Sequence, residues 1–206
     1  MNDCTYSTKI IAFDLDDTLY QEIDFVMSGY RAVSRFVEQE YGYADAFAVL
    51  SDAYSKHQNP FDALALAMKP TDIHIDRLVD IYRNHKPEIS LSRATEATLQ
   101  YLQGEDAILC LITDGRSTTQ RNKIEALGLT QFFDNVMKRF PEARQFYYIG
   151  DNTAKDFFWP NRLKWTTICI EDHGQNIHPQ VFTGDRMHNP QIIVDSVFDV
   201  PSIILD

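Results

Sequence analysis

The feature that most constrains the fold of this chain is an apolar run near its start that leads directly into three carboxylates. Residues Ile10–Phe13 are apolar, and Asp14, Asp16 and Asp17 follow closely. An uninterrupted apolar run is typical of a strand that is buried on both faces of a parallel sheet. Open α/β sheets place their chemistry at the carboxyl ends of such strands, so we expect these carboxylates at an active-site edge.

Two of these carboxylates, Asp14 and Asp16, are separated by one residue and are expected to project side by side. Close carboxylates repel each other unless a proton or a cation lies between them. Because the cluster offers oxygen ligands without His or Cys, it favours a hard cation, with Mg²⁺ before zinc. The alternative is that the Asp-Asp-Thr sequence ending at Thr18 forms a turn or caps a helix.

The rest of the chain divides into a helical segment and a segment in which strands and helices alternate. Between about residues 21 and 90, apolar side chains recur at helical spacing and no strand-like run occurs. After this segment, alternating strands and helices predict a doubly wound parallel sheet. We therefore expect an α/β fold, with a Rossmann-like core at residues 1–20 and 91–206 and an all-helical insertion at residues 21–90.

Individual elements follow from the same periodicity. The helices predicted in the insertion cover residues 26–41, 47–54, 61–68 and 75–82. The strands predicted after it are 107–113, 132–136, 146–150, 166–170 and 191–195. Helices are also predicted around residues 94–102, at 117–127 and at the end of the chain.

Composition limits the classes of partner. The chain has 206 residues and a net charge of -11, which argues against unspecific binding to nucleic acid or to an anionic membrane. The cysteines (Cys4, Cys110 and Cys169) and the scattered histidines lack the spacing of metal ligands. We expect buried thiols at Cys110 and Cys169, histidines on the surface or in a polar core, and a cytoplasmic location, because no signal peptide or long apolar stretch is present.

The segment Phe13–Leu19 resembles the first motif of the haloacid dehalogenase-like (HAD) superfamily, a strand that ends in Asp-x-Asp-x-Thr. The resemblance implies that Asp14 attacks a phosphoryl group and forms an aspartyl-phosphate, while Asp16 acts as general acid and base. Carboxylate nucleophiles of this kind are an established form of covalent catalysis. It also implies that the helical insertion is a cap that closes over the active site and selects the substrate.

A second segment, Ile112–Gly115, resembles the family's second motif, an apolar strand closed by a hydroxyl. The resemblance implies that Thr113 anchors the transferring phosphoryl group. The turn that follows would direct backbone N–H groups at an anion, so Asp114 and Gly115 are assigned to substrate binding together with Thr18. On its own this pattern also fits a plain turn.

A third segment, Tyr148–Asp156, resembles the fourth motif, in which Gly-Asp is followed by a second, spaced acid. The resemblance implies that Asp151 binds Mg²⁺ together with Asp14 and the main-chain carbonyl of Asp16. Asp156 would then hold the water shell of the metal or the loop itself. The alternative for Asp156 is that it caps the following helix.

The family's third motif, a Lys that pairs with the nucleophile and the phosphate, has no clear match. The segment Met137–Gln145 is too short for the crossover helix that normally precedes the Gly-Asp strand. Three explanations are open: an omitted segment between about residues 135 and 137, a true deletion, or a role for Lys138 by another route. We favour omission, because the flanking motifs are intact. Lys138 is the stand-in, and Lys123 is expected to face solvent.

Together these features predict a Mg²⁺-dependent phosphatase that acts on a small phosphorylated metabolite, of sugar phosphate or nucleotide type. The residues assigned to the metal are Asp14, Asp16, Asp151 and Asp156. The protein is expected to be a monomer or a homodimer. The alternative is a non-catalytic phosphate-binding or protein-interaction domain that lacks the third-motif Lys. A phosphomutase would use the same residues, whereas dehalogenation is disfavoured because it has no leaving alcohol for Asp16 to protonate.

Overall fold

The structure, a computed structural model, describes residues 9–69, 73–105, 107–133 and 145–205. The strands within these ranges are β1 (Lys9–Phe13), β2 (Ala107–Leu111), β3 (Gln145–Gly150), β4 (Thr166–Ile170) and β5 (Ile192–Val194). They form one sheet in the order β2-β1-β3-β4-β5, and each neighbouring pair is parallel. β1 therefore lies inside the sheet, with β2 on one side and β3 on the other.

Within the described ranges, five helices follow β1 before β2, and the later helices lie between or after the remaining strands. They are α1 (Glu22–Tyr41), α2 (Ala46–Ser55), α3 (Pro60–Ala67), α4 (Ile75–Asn84), α5 (Arg93–Gly104), α6 (Ser117–Ala126), α7 (Phe158–Arg162) and α8 (Val200–Leu205). Short 3₁₀ turns cover Leu129–Gln131 and Val197–Asp199. No helix in the described ranges is both long enough and apolar enough to cross a membrane.

The strand β1 is buried on both faces, as the apolar run predicts. Successive side chains of a strand point to opposite faces of the sheet. Ile11 and Phe13 are fully buried on one face. On the other face, Ile10 and Ala12 belong to an apolar cluster that also includes Tyr148 and Phe157. A parallel sheet with both faces covered is the doubly wound α/β fold, so the predicted fold class is confirmed.

The described chain forms two compact units. One contains the sheet and its flanking segments, and the other contains Ile23–Ile89 together with Gly115–Ala126. The helical unit has its own aromatic core, in which the ring of Tyr30 contacts Tyr54, Phe61 and Tyr82. The assignment of residues 21–90 as a cap over an active site stays a prediction.

A buried polar network joins α1 to the segment after α4 in the helical unit. The hydroxyl of Ser28 accepts a hydrogen bond from the backbone N–H of Glu88 at 2.8 Å and lies 3.1 Å from Nε2 of His85. Nδ1 of His85 lies 2.6 Å from the carbonyl oxygen of Tyr82. Burial lowers the pKa of His85, which keeps the ring neutral near physiological pH. This histidine is the polar-core kind that was expected.

Two expectations are wrong. Lys123 is buried, with 2% of the residue exposed, and its Nζ lies 4.2 Å from the centroid of the Phe25 ring. The ring face attracts the ammonium group while the aliphatic stem is buried, so a Lys on a polar helix can turn inward. The strand predicted at 132–136 is absent at Phe132 and Phe133, which lie in a turn after the 3₁₀ segment; residues 134–136 lie outside the described ranges. Phe133 instead contacts Phe13 edge to face.

Candidate active site

The site begins where the two neighbouring strands β1 and β3 end. Asp14 directly follows β1, and Asp151 directly follows β3. The backbone N–H of Asp14 donates to the carbonyl oxygen of Ile149 at 2.8 Å, which extends the parallel pairing by one residue. The carboxyl ends of parallel neighbours meet at one edge of a sheet, so the two carboxylates lie close together, each with 3% of the residue exposed.

Asp156 joins them to form a cluster of three buried carboxylates. Carboxylate oxygens of Asp14, Asp151 and Asp156 all lie within 4.8 Å of one another. Burial, together with the neighbouring charge of Asp156, raises the pKa of Asp14 to about 8. The same two causes raise the pKa of Asp151 to about 7, and burial raises the pKa of Asp156. Near neutral pH, three negative charges cannot be held this close without a proton or a cation.

The donor set suits a hard divalent cation. All three side chains offer carboxylate oxygens, which are the donor atoms that Mg²⁺ prefers over softer ligands. The oxygens lie within 4.8 Å of one another, so small shifts of the side chains would allow one cation to contact them together. A cation here would replace the shared protons and relieve the repulsion.

Asp156 also holds the loop that follows β3. Its Oδ2 accepts hydrogen bonds from the backbone N–H groups of Asp151 at 3.2 Å and Asn152 at 2.9 Å. The residue that precedes α7 is Phe157, which forms no side-chain cap, so Asp156 does not cap this helix. Gly150 permits the close approach, since a Cβ at this position would lie 2.5 Å from Oδ2 of Asp156.

Asp16 is half-buried and is oriented by a buried tyrosine. The hydroxyl of Tyr20 donates a hydrogen bond to Oδ1 of Asp16 at 2.6 Å. Burial and the neighbouring Asp16 carboxylate raise the pKa of Tyr20, so the phenol stays protonated and remains a donor. The backbones of the two residues also form an isolated bridge. The loop after β1 therefore fixes the direction of the Asp16 side chain.

The remaining residues of the first motif support the loop and the cluster. The hydroxyl of Thr18, which was assigned to substrate binding, lies 3.4 Å from Oδ1 of Asp151. Asp17 has a left-handed backbone, with φ of 54°. Its two carboxylate oxygens accept hydrogen bonds from the backbone N–H groups of Glu22 at 2.7 Å and Ile177 at 2.9 Å. The sequence did not predict that Asp17 would hold these two backbone segments together.

The second motif follows the strand β2, on the other side of β1. The N–H of Ile112 donates to the carbonyl oxygen of Phe13 at 2.8 Å, which brings the end of β2 to the edge where Asp14 lies. Thr113 is half-buried, and its hydroxyl makes no hydrogen bond with another described residue. Asp114 is exposed, and Gly115 has φ of 127° in the turn before α6. Lys138 lies outside the described residues.

A basic side chain that the sequence analysis missed lies among the carboxylates. The Nζ atom of Lys155 is 3.8 Å from Oδ2 of Asp114 and 3.9 Å from Oδ1 of Asp156. Burial lowers the pKa of Lys155, but the surrounding carboxylates more than offset this and raise the pKa above its ordinary value. The available signal was its position directly before Asp156, within a run that already carries two acids.

The long connection between β4 and β5 also contributes to the site. Asn176 donates to Oδ2 of Asp151 at 2.9 Å, and Nε2 of Gln180 donates to the carbonyl oxygen of Asp151 at 2.9 Å. Oδ1 of Asp172 accepts hydrogen bonds from three successive backbone N–H groups, those of residues 174–176, and so shapes the turn that carries Asn176. A loop without periodicity gives no pattern from which these contacts could be predicted.

The shared protons of the cluster lead to a prediction about stability. A carboxyl with a raised pKa binds more protons in the folded state, so the free energy of unfolding of the metal-free protein falls as pH rises from about 4 to about 8. We expect the thermal midpoint in a chelator to be lower at about pH 8 than at about pH 6, and added Mg²⁺ to raise it more at the higher pH.

Two substitutions sharpen this test. Asp14→Asn removes one buried charge and should raise the midpoint of the metal-free protein at about pH 8 by roughly 3 °C or more. Asp80→Asn, at an exposed position of α4, is the matched control and should leave it unchanged. Equal Mg²⁺ effects at both pH values, or identical midpoints for the two variants, would contradict the proposed repulsion.

Gly150→Ala tests the loop geometry. The added Cβ would force apart Gly150 and the buried Asp156, so we expect a loss of about 2 kcal/mol in the free energy of unfolding and weaker Mg²⁺ binding. Gly104→Ala is the control, because nothing lies within 4 Å of a Cβ there; it should be neutral or stabilising by up to about 1 kcal/mol. Urea unfolding and calorimetric titration would measure both effects, and equal stabilities would argue against the close approach.

Comparison with known proteins places this arrangement in a family. The family model of haloacid dehalogenase-like hydrolases matches residues 11–145. A glyceraldehyde 3-phosphate phosphatase of Methanocaldococcus jannaschii is 29% identical over 220 aligned positions, which cover 92% of this chain and 96% of the relative.

Solved structures share the fold at lower identity. A HAD-hydrolase of Bacillus subtilis, YfnB, bound to magnesium, superimposes with a TM-score of 0.63 at 17% identity, over 96% of this chain and 98% of the other. An L-2-haloacid dehalogenase of Xanthobacter autotrophicus, with chloropropionic acid covalently bound, gives 0.55 at 13% identity, over 96% and 98%. Because the family model covers more than half of the sequence, the chain belongs to the haloacid dehalogenase-like hydrolase family.

Proposed function

We propose that this protein is a Mg²⁺-dependent phosphatase that hydrolyses a small phosphomonoester through an aspartyl-phosphate on Asp14. The observation that carries the proposal is the cluster of Asp14, Asp151 and Asp156 at the carboxyl ends of the adjacent strands β1 and β3. A buried carboxylate beside a set of cation ligands is equipped to attack phosphorus, because a cation offsets its repulsion from the phosphate oxygens.

In the first half of the reaction, a carboxylate oxygen of Asp14 attacks phosphorus and the bond from phosphorus to the alcohol oxygen breaks. Asp16 donates a proton to the departing oxygen. In the second half, Asp16 takes a proton from water, whose oxygen attacks phosphorus and releases Asp14 and inorganic phosphate. The hydrogen bond from Tyr20 supports this role, because it orients the Asp16 carboxylate.

The metal would be held by Asp14, Asp151 and the main-chain carbonyl of Asp16, with Asp156 positioning the loop or the metal's water shell. When bound, Mg²⁺ would neutralise charge that the phosphate and the carboxylates bring together. The hydroxyl of Thr113 supports a role in binding the phosphoryl group, since it is half-buried and has no hydrogen-bond partner among the described residues. Thr18, which lies beside Asp151, is better placed to orient that ligand.

The likeness to a glyceraldehyde 3-phosphate phosphatase favours a sugar phosphate type of substrate over a nucleotide. Dehalogenation is the competing chemistry, because dehalogenases share the fold. A dehalogenase has no leaving alcohol to protonate, whereas the role proposed for Asp16 is to protonate one. The alternative of a non-catalytic binding domain predicts ligand binding without turnover.

The test is hydrolysis of an aryl phosphate and of glyceraldehyde 3-phosphate by the full chain. We expect turnover that requires Mg²⁺ and stops with a chelator. Asp14→Asn should lower kcat by at least about a thousandfold, because it removes the nucleophile, while Asp80→Asn should not change it. Chloride release from 2-chloropropionate should be absent.

Other results would redirect the assignment. Chloride release that depends on Asp14 would identify a dehalogenase. Mg²⁺ binding without turnover on any phosphomonoester would favour the non-catalytic alternative. Activity that survives chelation, or that Asp14→Asn leaves intact, would refute the proposed chemistry.

A further inference from the structure

The candidate active site carries an excess of negative charge at the place where a phosphoryl group would enter. Asp14, Asp151 and Asp156 form the buried cluster, and Asp114 adds a fourth carboxylate at the same edge. The phosphate group of a phosphomonoester itself carries about two negative charges near neutral pH. One divalent cation does not balance this total, so binding of the phosphoryl group requires a further positive charge close to Asp14.

Lys155 lies where such a charge is needed. Its ammonium group sits between Asp156, whose side chain is 3% exposed, and Asp114, whose side chain is 84% exposed. The Lys155 side chain itself is 42% exposed. It therefore lies between the buried carboxylates and the solvent-exposed Asp114.

The contacts of Lys155 are loose. Its distances of 3.8 Å and 3.9 Å exceed those of charge-assisted hydrogen bonds, which are about 2.7–2.9 Å long. The ammonium is held by attraction to two carboxylates without a short bond to either. A phosphate oxygen could thus take the place of the exposed Asp114 without the loss of a strong interaction.

The backbone of Lys155 is fixed, in contrast to its side chain. The N–H groups of Lys155 and Asp156 both donate to the carbonyl oxygen of Asn152, at 3.2 Å and 3.0 Å. The side-chain oxygen of Asn152 also accepts a hydrogen bond from the N–H of Ala154 at 3.0 Å. This turn holds Lys155 at a defined place next to the cluster.

We propose that Lys155 binds the phosphoryl group of the substrate, with Asp114 as the partner that it gives up when the phosphate arrives. The inference rests on the proposed function, because it names the residue that recognises the anion at that same site. It assigns Asp114 a competing role, so that the exposed carboxylate weakens the binding of phosphate.

Calorimetry measures the affinity of the full chain for inorganic phosphate in the presence of Mg²⁺. The kinetics of aryl phosphate hydrolysis are measured on the same proteins. Lys155→Met should weaken phosphate binding at least tenfold and raise KM, whereas Lys155→Arg should stay within about threefold of the wild type. Lys56→Met is the matched control: it removes a lysine that pairs with Asp52 on the exposed surface of α2, and it should change neither value.

A second variant, Asp114→Asn, keeps Lys155 and is expected to change the phosphate affinity in the opposite direction. Asp114→Asn should tighten phosphate binding, because the competitor of the phosphate is removed. In the Lys155→Met background the same change should have less than half of this effect, since the two residues act on the same anion. Thermal midpoints of all variants show whether each one folds.

The outcomes separate this inference from the proposed function. If the wild type binds phosphate through Lys155 but does not hydrolyse esters, the proposed function is wrong and the inference holds. If the wild type hydrolyses esters while Lys155→Met binds phosphate like Lys56→Met, the inference is overturned and the proposed function holds. No phosphate binding by the wild type, or equal effects of Asp114→Asn in both backgrounds, also overturns it.

Discussion

The repulsion among three buried carboxylates is the constraint on which the rest of this site depends. Asp14, Asp151 and Asp156 are brought together because two of them end adjacent parallel strands and the third folds back onto the loop after β3. Burial strengthens their repulsion and raises the pKa of each. Such an arrangement is retained only if something positive compensates it, and a divalent cation with a nearby lysine would do so.

The surrounding structure serves to hold these charges in place. Asp156 fixes the loop after β3, which is possible because Gly150 has no side chain. Asn176 donates a hydrogen bond to Asp151, and Asp17 ties the loop after β1 to the backbone of Ile177. Each contact satisfies a carboxylate oxygen with an N–H group, which lowers the cost of burying charge. Loops from three parts of the chain are therefore joined at one edge of the sheet.

The sequence predicted the fold well, because the strands and helices have strong periodicity. The apolar run before Asp14 and the one before Asp151 identify buried strands, and adjacent parallel strands bring their ends together. Lys123 was mispredicted because its burial depends on the ring of Phe25, which is far away in the sequence. Lys155, Asn176 and Gln180 act from turns and loops, where no period indicates which side chain points inward.

The most direct test of the account is the detection of a phosphoryl group on Asp14. The full chain would be mixed with an aryl phosphate and Mg²⁺, quenched in acid and analysed by peptide mass spectrometry. We expect one phosphoryl group on the peptide that contains Asp14, sensitive to hydroxylamine as an acyl phosphate is, and absent from Asp14→Asn. Turnover without this adduct under single-turnover conditions, or a phosphoryl group on another residue, would contradict the central claim.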